Sequence, residues 1–210
     1  MSEFHSKDIE HLYDETYFLG GISKHTGQFI GVEGYQHFKQ GLIQPKKIRC
    51  ANTLDFKDKN VLDIGFGRGE ILRYCDQNGA KSCIGIDYAR AAVEIADSYL
   101  PIDINIYNLA FDEIGEIHET DIDIVYMMDV IEHIPMDELE KGFEQLVPKL
   151  SPTCELFAST PNKKCGDYLN MHNNYFLHED KLSYLFSKYF NNVSISKRDD
   201  WFVVVCKGVK

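Results

Sequence analysis

One segment, an apolar run that breaks into glycines and re-emerges as a helix, constrains this chain more than any other. Val61-Leu62-Asp63-Ile64 reads as a buried strand, Gly65-Phe66-Gly67-Arg68-Gly69 as a tight bend, and Glu70 to Gln77 as the following helix. Glycines at such a bend let the backbone turn sharply and approach a ligand without Cβ obstruction. The pattern then repeats. Ser82 to Ile86 reads as a second strand and Ala89 to Tyr99 as a second helix. Ile102, Ile104 and Ile106 mark a third strand, Ile122 to Met127 a fourth, a helix opens near Pro135, and Glu155 to Ser159 is a fifth strand. Leu182, Leu185, Phe186, Tyr189 and Phe190 form one apolar helix face. Strands alternating with helices predict an α/β fold, a parallel sheet covered on both faces.

The two ends break that rhythm. Val193 to Lys197 and Trp201 to Cys206 flank the short polar turn Arg198-Asp199-Asp200, which predicts a hairpin with an antiparallel final strand. Residues 1–50 read as helical and aromatic: Tyr13, Tyr17 and Phe18 precede Gly20-Gly21, and Tyr35, Phe38, Leu42 and Ile43 recur until Pro45 ends the run. This stretch is expected to form a lid pivoting on the glycines or a helix packed on the sheet edge, ahead of a main domain over 51–210.

Charge and cysteines exclude several functions. Residues 60–150 carry 6 basic and 19 acidic side chains, and the whole chain has a formal charge of −11, so duplex nucleic acid is a poor partner. The six cysteines lack C-x-x-C or zinc-site spacing, so no metal is expected. With no secretory pattern at the amino terminus and no run of about 20 apolar residues, the expectation is a reduced cytoplasmic protein, monomer or homodimer, without membrane contact.

The glycine bend also narrows its ligand. A dinucleotide fingerprint would place a third glycine at 70, where Glu70 stands, and Asp63 beside the bend would oppose a pyrophosphate. A phosphate-binding Lys-Ser or Lys-Thr is absent. A nucleoside without phosphates and with positive charge fits better. Asp87 ends the second strand 24 residues after Asp63, where an acid reaches ribose hydroxyls or caps the helix behind it.

Together, Val61 to Gly69, Ile84-Gly85-Ile86-Asp87, Asp123 to Ile134 and the terminal hairpin resemble the class I S-adenosylmethionine-dependent methyltransferases, over roughly residues 50–210. The resemblance implies a Rossmann-like, doubly wound, mostly parallel seven-stranded sheet with a C-terminal antiparallel hairpin and an N-terminal helical lid. It implies S-adenosylmethionine as cofactor and S-adenosylhomocysteine as product. Gly65, Phe66 and Gly67 would then face the methionine part, with Asp63 beneath its ammonium group. Asp87 would hold the ribose and Tyr88 would lie against adenine, with Asn108 and Leu109 nearby. Met128 and Asp129 would close the other side, and Tyr17 would reach the cofactor from the lid. The acid that many relatives carry after the third strand is replaced by Asn108-Leu109-Ala110.

A hydroxyl acceptor needs a base, because a neutral alcohol is a weak nucleophile. His133 is the leading candidate, either as that base or as a ring ordering its loop, and His172 and Tyr175 also stand where they can face the acceptor. Lys163, Lys164 and Arg68 can meet a phosphate or carboxylate, so the expected acceptor is a small polar molecule, phosphorylated or carboxylated in one version. O-methylation is favoured; Asp129-Val130-Ile131-Glu132 does not resemble the proline-bearing pattern of methyltransferases acting on amide or exocyclic base nitrogens, which argues against a nucleobase substrate. Tyr13 to Gly21 is similar to the start of bacterial methyltransferases of glycan biosynthesis. The alternatives are an N-methyltransferase of a small metabolite, a non-catalytic S-adenosylmethionine-binding protein and a nicotinamide-dependent dehydrogenase.

Overall fold

The computed structural model describes residues 6–162, 176 and 178–210 of the chain. Helix α1 (Glu15–Leu19) leads into a small antiparallel pair, β1 (Gly21–Ile22) and β2 (Phe29–Ile30), followed by α2 (Tyr35–Lys39) and α3 (Pro45–Ala51). The alternating body follows: β3 (Asn60–Ile64), α4 (Glu70–Gln77), β4 (Ser82–Ile86), α5 (Arg90–Asp97), β5 (Asn105–Tyr107), β6 (Ile122–Met128), α6 (Met136–Leu146), β7 (Leu150–Pro161), α7 (Glu179–Ser187), β8 (Phe190–Arg198) and β9 (Trp201–Val209).

Strands β3 to β9 form one sheet in the order β5-β4-β3-β6-β7-β9-β8. Neighbours from β5 to β7 pair in parallel, and β9 runs antiparallel between β7 and β8. The chain builds outward through β3, β4 and β5, then returns to place β6 on the opposite side of β3. That reversal leaves a crevice at the carboxyl ends of β3 and β6, the usual ligand position in such sheets.

Alternation along the strands divides the core. Leu62, Ile64, Val125, Met127, Leu156 and Ala158 face one layer with Phe111, Phe143, Phe186 and Phe190. Val61, Ile124, Tyr126 and Phe157 face the other with Ile71, Leu72, Ala92 and the N-terminal Ile9, Tyr13 and Phe18. Because side chains alternate, Asp63 lies on the face of Val61, toward α4 and the N-terminal segment. Phe143 shows how tightly the first layer packs: its ring meets Phe111 at 5.1 Å and Phe186 at 5.6 Å. Burying a side chain of this kind contributes about 1.5–3 kcal/mol.

Three local expectations need correction. Pro45 opens α3, where its missing N–H costs nothing, rather than ending a helix; α2 has already stopped at Lys39. The N-terminal segment is not purely helical, since β1 and β2 pair within it. The third strand begins at Asn105: Ile102 is fully exposed, and Ile104 is buried just ahead of the ladder.

Candidate active site

The glycine bend sits at the reversal. Gly65, Gly67 and Gly69 take φ of 69°, 58° and 75°, the left-handed region that L side chains disfavour. Gly65 is closed to substitution for a second reason: a Cβ there would come within 2.4 Å of Val130 in the loop after β6. The bend is held by Gly65 N–H donating to Ile86 O at 2.8 Å and by Gly67 N–H donating to Asp87 Oδ2 at 2.9 Å.

Above it lies a cavity of about 720 Å³. Of the expected site residues, Tyr17, Asp63, Gly65, Phe66, Gly67, Asp87, Tyr88, Leu109, Met128, Asp129 and His133 all line this one cavity. Asn108 is not among the lining residues; its Nδ2 donates to the carbonyls of Asp87 and Tyr88 at 3.0 and 2.9 Å. His172, Tyr175, Lys163 and Lys164 lie outside the described residues.

Two buried acids dominate the glycine side. Asp63 is 2% exposed, and among the described residues no cation comes within ion-pair distance of it. Burial pushes its carboxyl up to about 7, against the pull of Lys47 and with a small push from Asp87. Asp87 is also raised, to about 6, by burial, which outweighs the N–H groups of Ala89 and Gly67. Its Oδ1 accepts from Ala89 N–H at 2.9 Å, a bond to the residue before α5 rather than a helix cap, and each carboxylate oxygen has a second lone pair to offer. The Tyr88 side chain lines the same cavity, and burial pushes its hydroxyl well above the usual tyrosine range. A pair of acids without an ion-pair partner and a bend whose glycines leave room for close approach together fit a cationic nucleoside.

The opposite wall is built by the N-terminal segment and the loop after β6. Tyr13 Oη lies 2.9 Å from His133 Nδ1, and the Tyr13 ring packs edge-on against Tyr17 and Tyr88. Asp129 ends β6 at φ 58°, an uncommon conformation for a non-glycine residue. Its Oδ1 accepts from Ser159 Oγ and its Oδ2 from Lys46 Nζ at 3.0 Å. Lys46 also pairs with Glu33 at 3.3 Å and lies 3.9 Å from the centre of the Trp201 ring. Burial disfavours the Lys46 charge, but Asp129 and Glu33 more than offset this and hold its pKa above the usual value.

Arg68 is used differently from the expectation. It is 1% exposed and donates to Glu70 Oε2, Phe18 O and Glu33 O, which ties the bend to the N-terminal segment. Lys47 completes the cluster at 3.1 Å from Glu70. Burial works against the Glu70 charge, yet Lys47 and Arg68 hold its carboxyl below the usual range. Arg68 is therefore a structural tether between the bend and the N-terminal segment. Sequence reasoning missed Lys46, Lys47, Glu33 and Trp201, because their meeting depends on how residues 15–51 fold back over the sheet. The one sequence hint was the Lys46-Lys47 pair in the first turn of a proline-led helix.

A mostly parallel seven-stranded sheet with a reversed β9, and a phosphate-free nucleoside site at its reversal, define the class I S-adenosylmethionine-dependent methyltransferase architecture. The methyltransferase domain family matches residues 35–193, and the chain belongs to that family, with S-adenosylmethionine as its cofactor. Among curated proteins, the chain is 29% identical over 122 residues to a ubiquinone biosynthesis O-methyltransferase of Neisseria meningitidis; the match covers 56% of this chain and 50% of that protein. The chain thus spans about half the length of the curated relatives it matches first. Its fold is similar to an S-adenosylmethionine-dependent methyltransferase of Archaeoglobus fulgidus, with TM-score 0.65, 18% identity and coverage of 82% and 97% of the two chains. It is also similar to a TehB-like methyltransferase of Corynebacterium glutamicum, with TM-score 0.63, 15% identity and coverage of 83% and 93%.

Proposed function

We propose that this chain transfers a methyl group from S-adenosylmethionine to an oxygen of a small acceptor held between the glycine bend and His133. The carrying observation is that cation-starved Asp63 and the Tyr13–His133 pair face the same cavity. When bound, the cofactor's sulfonium supplies an electrophilic methyl group. The protein's own tasks are then to bind, align, exclude water and move one proton.

Asp63 and Asp87 hold the cofactor end: Asp63 takes the ammonium group and Asp87 the ribose hydroxyls, with Tyr88 and Leu109 beside the base. Met128 and Tyr17 complete this half. On the acceptor side, a His133 ring protonated on Nδ1 donates to Tyr13 Oη, which puts the basic lone pair on Nε2. That nitrogen takes the acceptor's hydroxyl proton as the new oxygen–carbon bond forms. Residues 6–51 act as a cap that Arg68 and the Lys46–Asp129 ion pair hold over the site.

The relative from Neisseria, an O-methyltransferase by name, supports oxygen as the acceptor atom. No described residue of the cavity favours a glycan precursor over other hydroxyl acceptors. The test is incubation with deuteromethyl-labelled S-adenosylmethionine and panels of phenols, hydroxy acids and amines, read by mass spectrometry. Label on oxygen supports the reading, and label exclusively on amines would overturn the choice of atom.

A further inference from the structure

One large side chain of the cavity has no part in the transfer just described. Trp201, the sole tryptophan of the chain, opens β9 opposite Pro161 of β7, and both residues line the cavity. The sheet holds it in place. Just past β7, Asn162 donates through Nδ2 to Asp199 O at 3.0 Å and through its backbone N–H to Asp200 O at 2.8 Å, which pins the hairpin turn ahead of the indole. A residue placed by a strand ladder presents its side chain with little freedom, as a binding platform requires.

The indole is also fixed from the cap. Lys46 Nζ lies 3.9 Å from the centre of the ring, and Asp129 at 3.0 Å and Glu33 at 3.3 Å keep the ammonium there. One face of the ring is therefore taken by a cation. Lys46 itself is not among the lining residues, so the indole rather than the ammonium is what this wall presents to the cavity. The cap adds Phe29, Ile30 and Val32 to the lining, with Phe29 58% exposed. Large apolar groups open to a cavity supply binding area, and a few polar groups such as His133 supply orientation. A cation on one face draws the ring's electron density toward itself, which suits the other face to an electron-rich ring.

We propose that Trp201 selects the acceptor: the substrate carries a flat, electron-rich ring of the phenol class, which stacks on the indole face opposite Lys46 while its hydroxyl meets His133. This rests on the methyltransferase reading of the same cavity and names its substrate class. A saturated ring, as in a cyclic alcohol or a sugar, fills similar space but has no π-face, so it forfeits the stacking contribution.

The test uses the full chain saturated with S-adenosylhomocysteine and three probes: phenol, cyclohexanol and methyl glucoside. Emission from the sole tryptophan, excited at the red edge of its absorption, reports events at this ring, and ligand-observed NMR gives affinities in wild type and variants. Phenol should change the Trp201 emission and bind about fivefold more tightly than cyclohexanol, the scale of one aromatic pair. Trp201→Leu should erase that preference and Trp201→Phe should keep most of it. Both should leave S-adenosylhomocysteine affinity unchanged, which also shows that they are folded. Cyclohexanol or methyl glucoside binding as tightly as phenol, phenol binding without a change in emission, no probe binding, or a phenol preference that survives Trp201→Leu would each overturn the proposal. The wild-type ranking and emission decide by themselves if the variants do not fold. Failure of S-adenosylhomocysteine to bind at all is a separate result, and it would remove the methyltransferase reading together with this one.

Discussion

The two walls of the cavity are held by different means. The glycine side is made by consecutive elements: β3, its bend, and the end of β4 set Asp63 and Asp87 in place through backbone geometry and short-range N–H donors. The acceptor side is assembled from segments far apart in sequence, with Tyr13 bonded to His133, Arg68 to Phe18 and Glu33, and Lys46 to Asp129 and Glu33 beside Trp201. Backbone-built geometry is stiff and serves a ligand that does not change. Side-chain ties between distant elements can be altered one at a time, which suits the half that fits a particular acceptor.

Five substitutions or titrations can break or sharpen this contrast. His133→Ala should lower turnover by about 10²–10⁴-fold, the usual contribution of a positioned base, while S-adenosylhomocysteine affinity stays unchanged; a fall in cofactor affinity instead would place His133 on the wrong wall. Arg68→Met removes one partner of a fully buried ion pair and should cost about 3–4 kcal/mol in urea unfolding. Asp63→Asn should weaken S-adenosylhomocysteine by about 100-fold in calorimetry, as expected when one member of a buried charge pair is lost.

Acidity comes next. The Asp63 carboxyl is raised to about 7, so below that value the protein must release a proton to meet an ammonium group. Cofactor affinity should therefore fall as pH drops through 7, by up to about tenfold per unit. The unliganded protein should show the opposite trend in stability. A raised acid binds its proton more tightly when folded, so the stability it contributes is full below about pH 4 and is lost as pH rises through 7. Thermal melts across that range, with and without S-adenosylhomocysteine, separate the two trends. The smallest effect belongs to Lys46→Met, about 1 kcal/mol in stability, with a changed emission from Trp201, the sole tryptophan.

The same contrast explains what the sequence revealed. The apolar run 61–64, the glycines at 65, 67 and 69 and the acid at 87 are read locally, because strand periodicity and backbone permissiveness are properties of neighbours. The parallel order and the reversed last strand follow from alternation and from the short turn at 198–200. The N-terminal segment was harder to read. The helical spacing of Tyr35, Phe38, Leu42 and Ile43 gave no sign that Pro45 begins a helix or that β1 pairs with β2. Arg68 was expected to meet an anionic acceptor because its partners, two backbone carbonyls 35 and 50 residues away, leave no mark in sequence.

The account stands on Asp63 meeting a cation in the cavity above the glycine bend. Calorimetric titration of the wild-type chain with S-adenosylhomocysteine at pH 8, alongside Asp63→Asn, tests it most directly. The account predicts one saturable site per chain in the wild type and a loss of about 100-fold in the variant. Equal affinity in the two proteins, or no heat of binding in either, would contradict it.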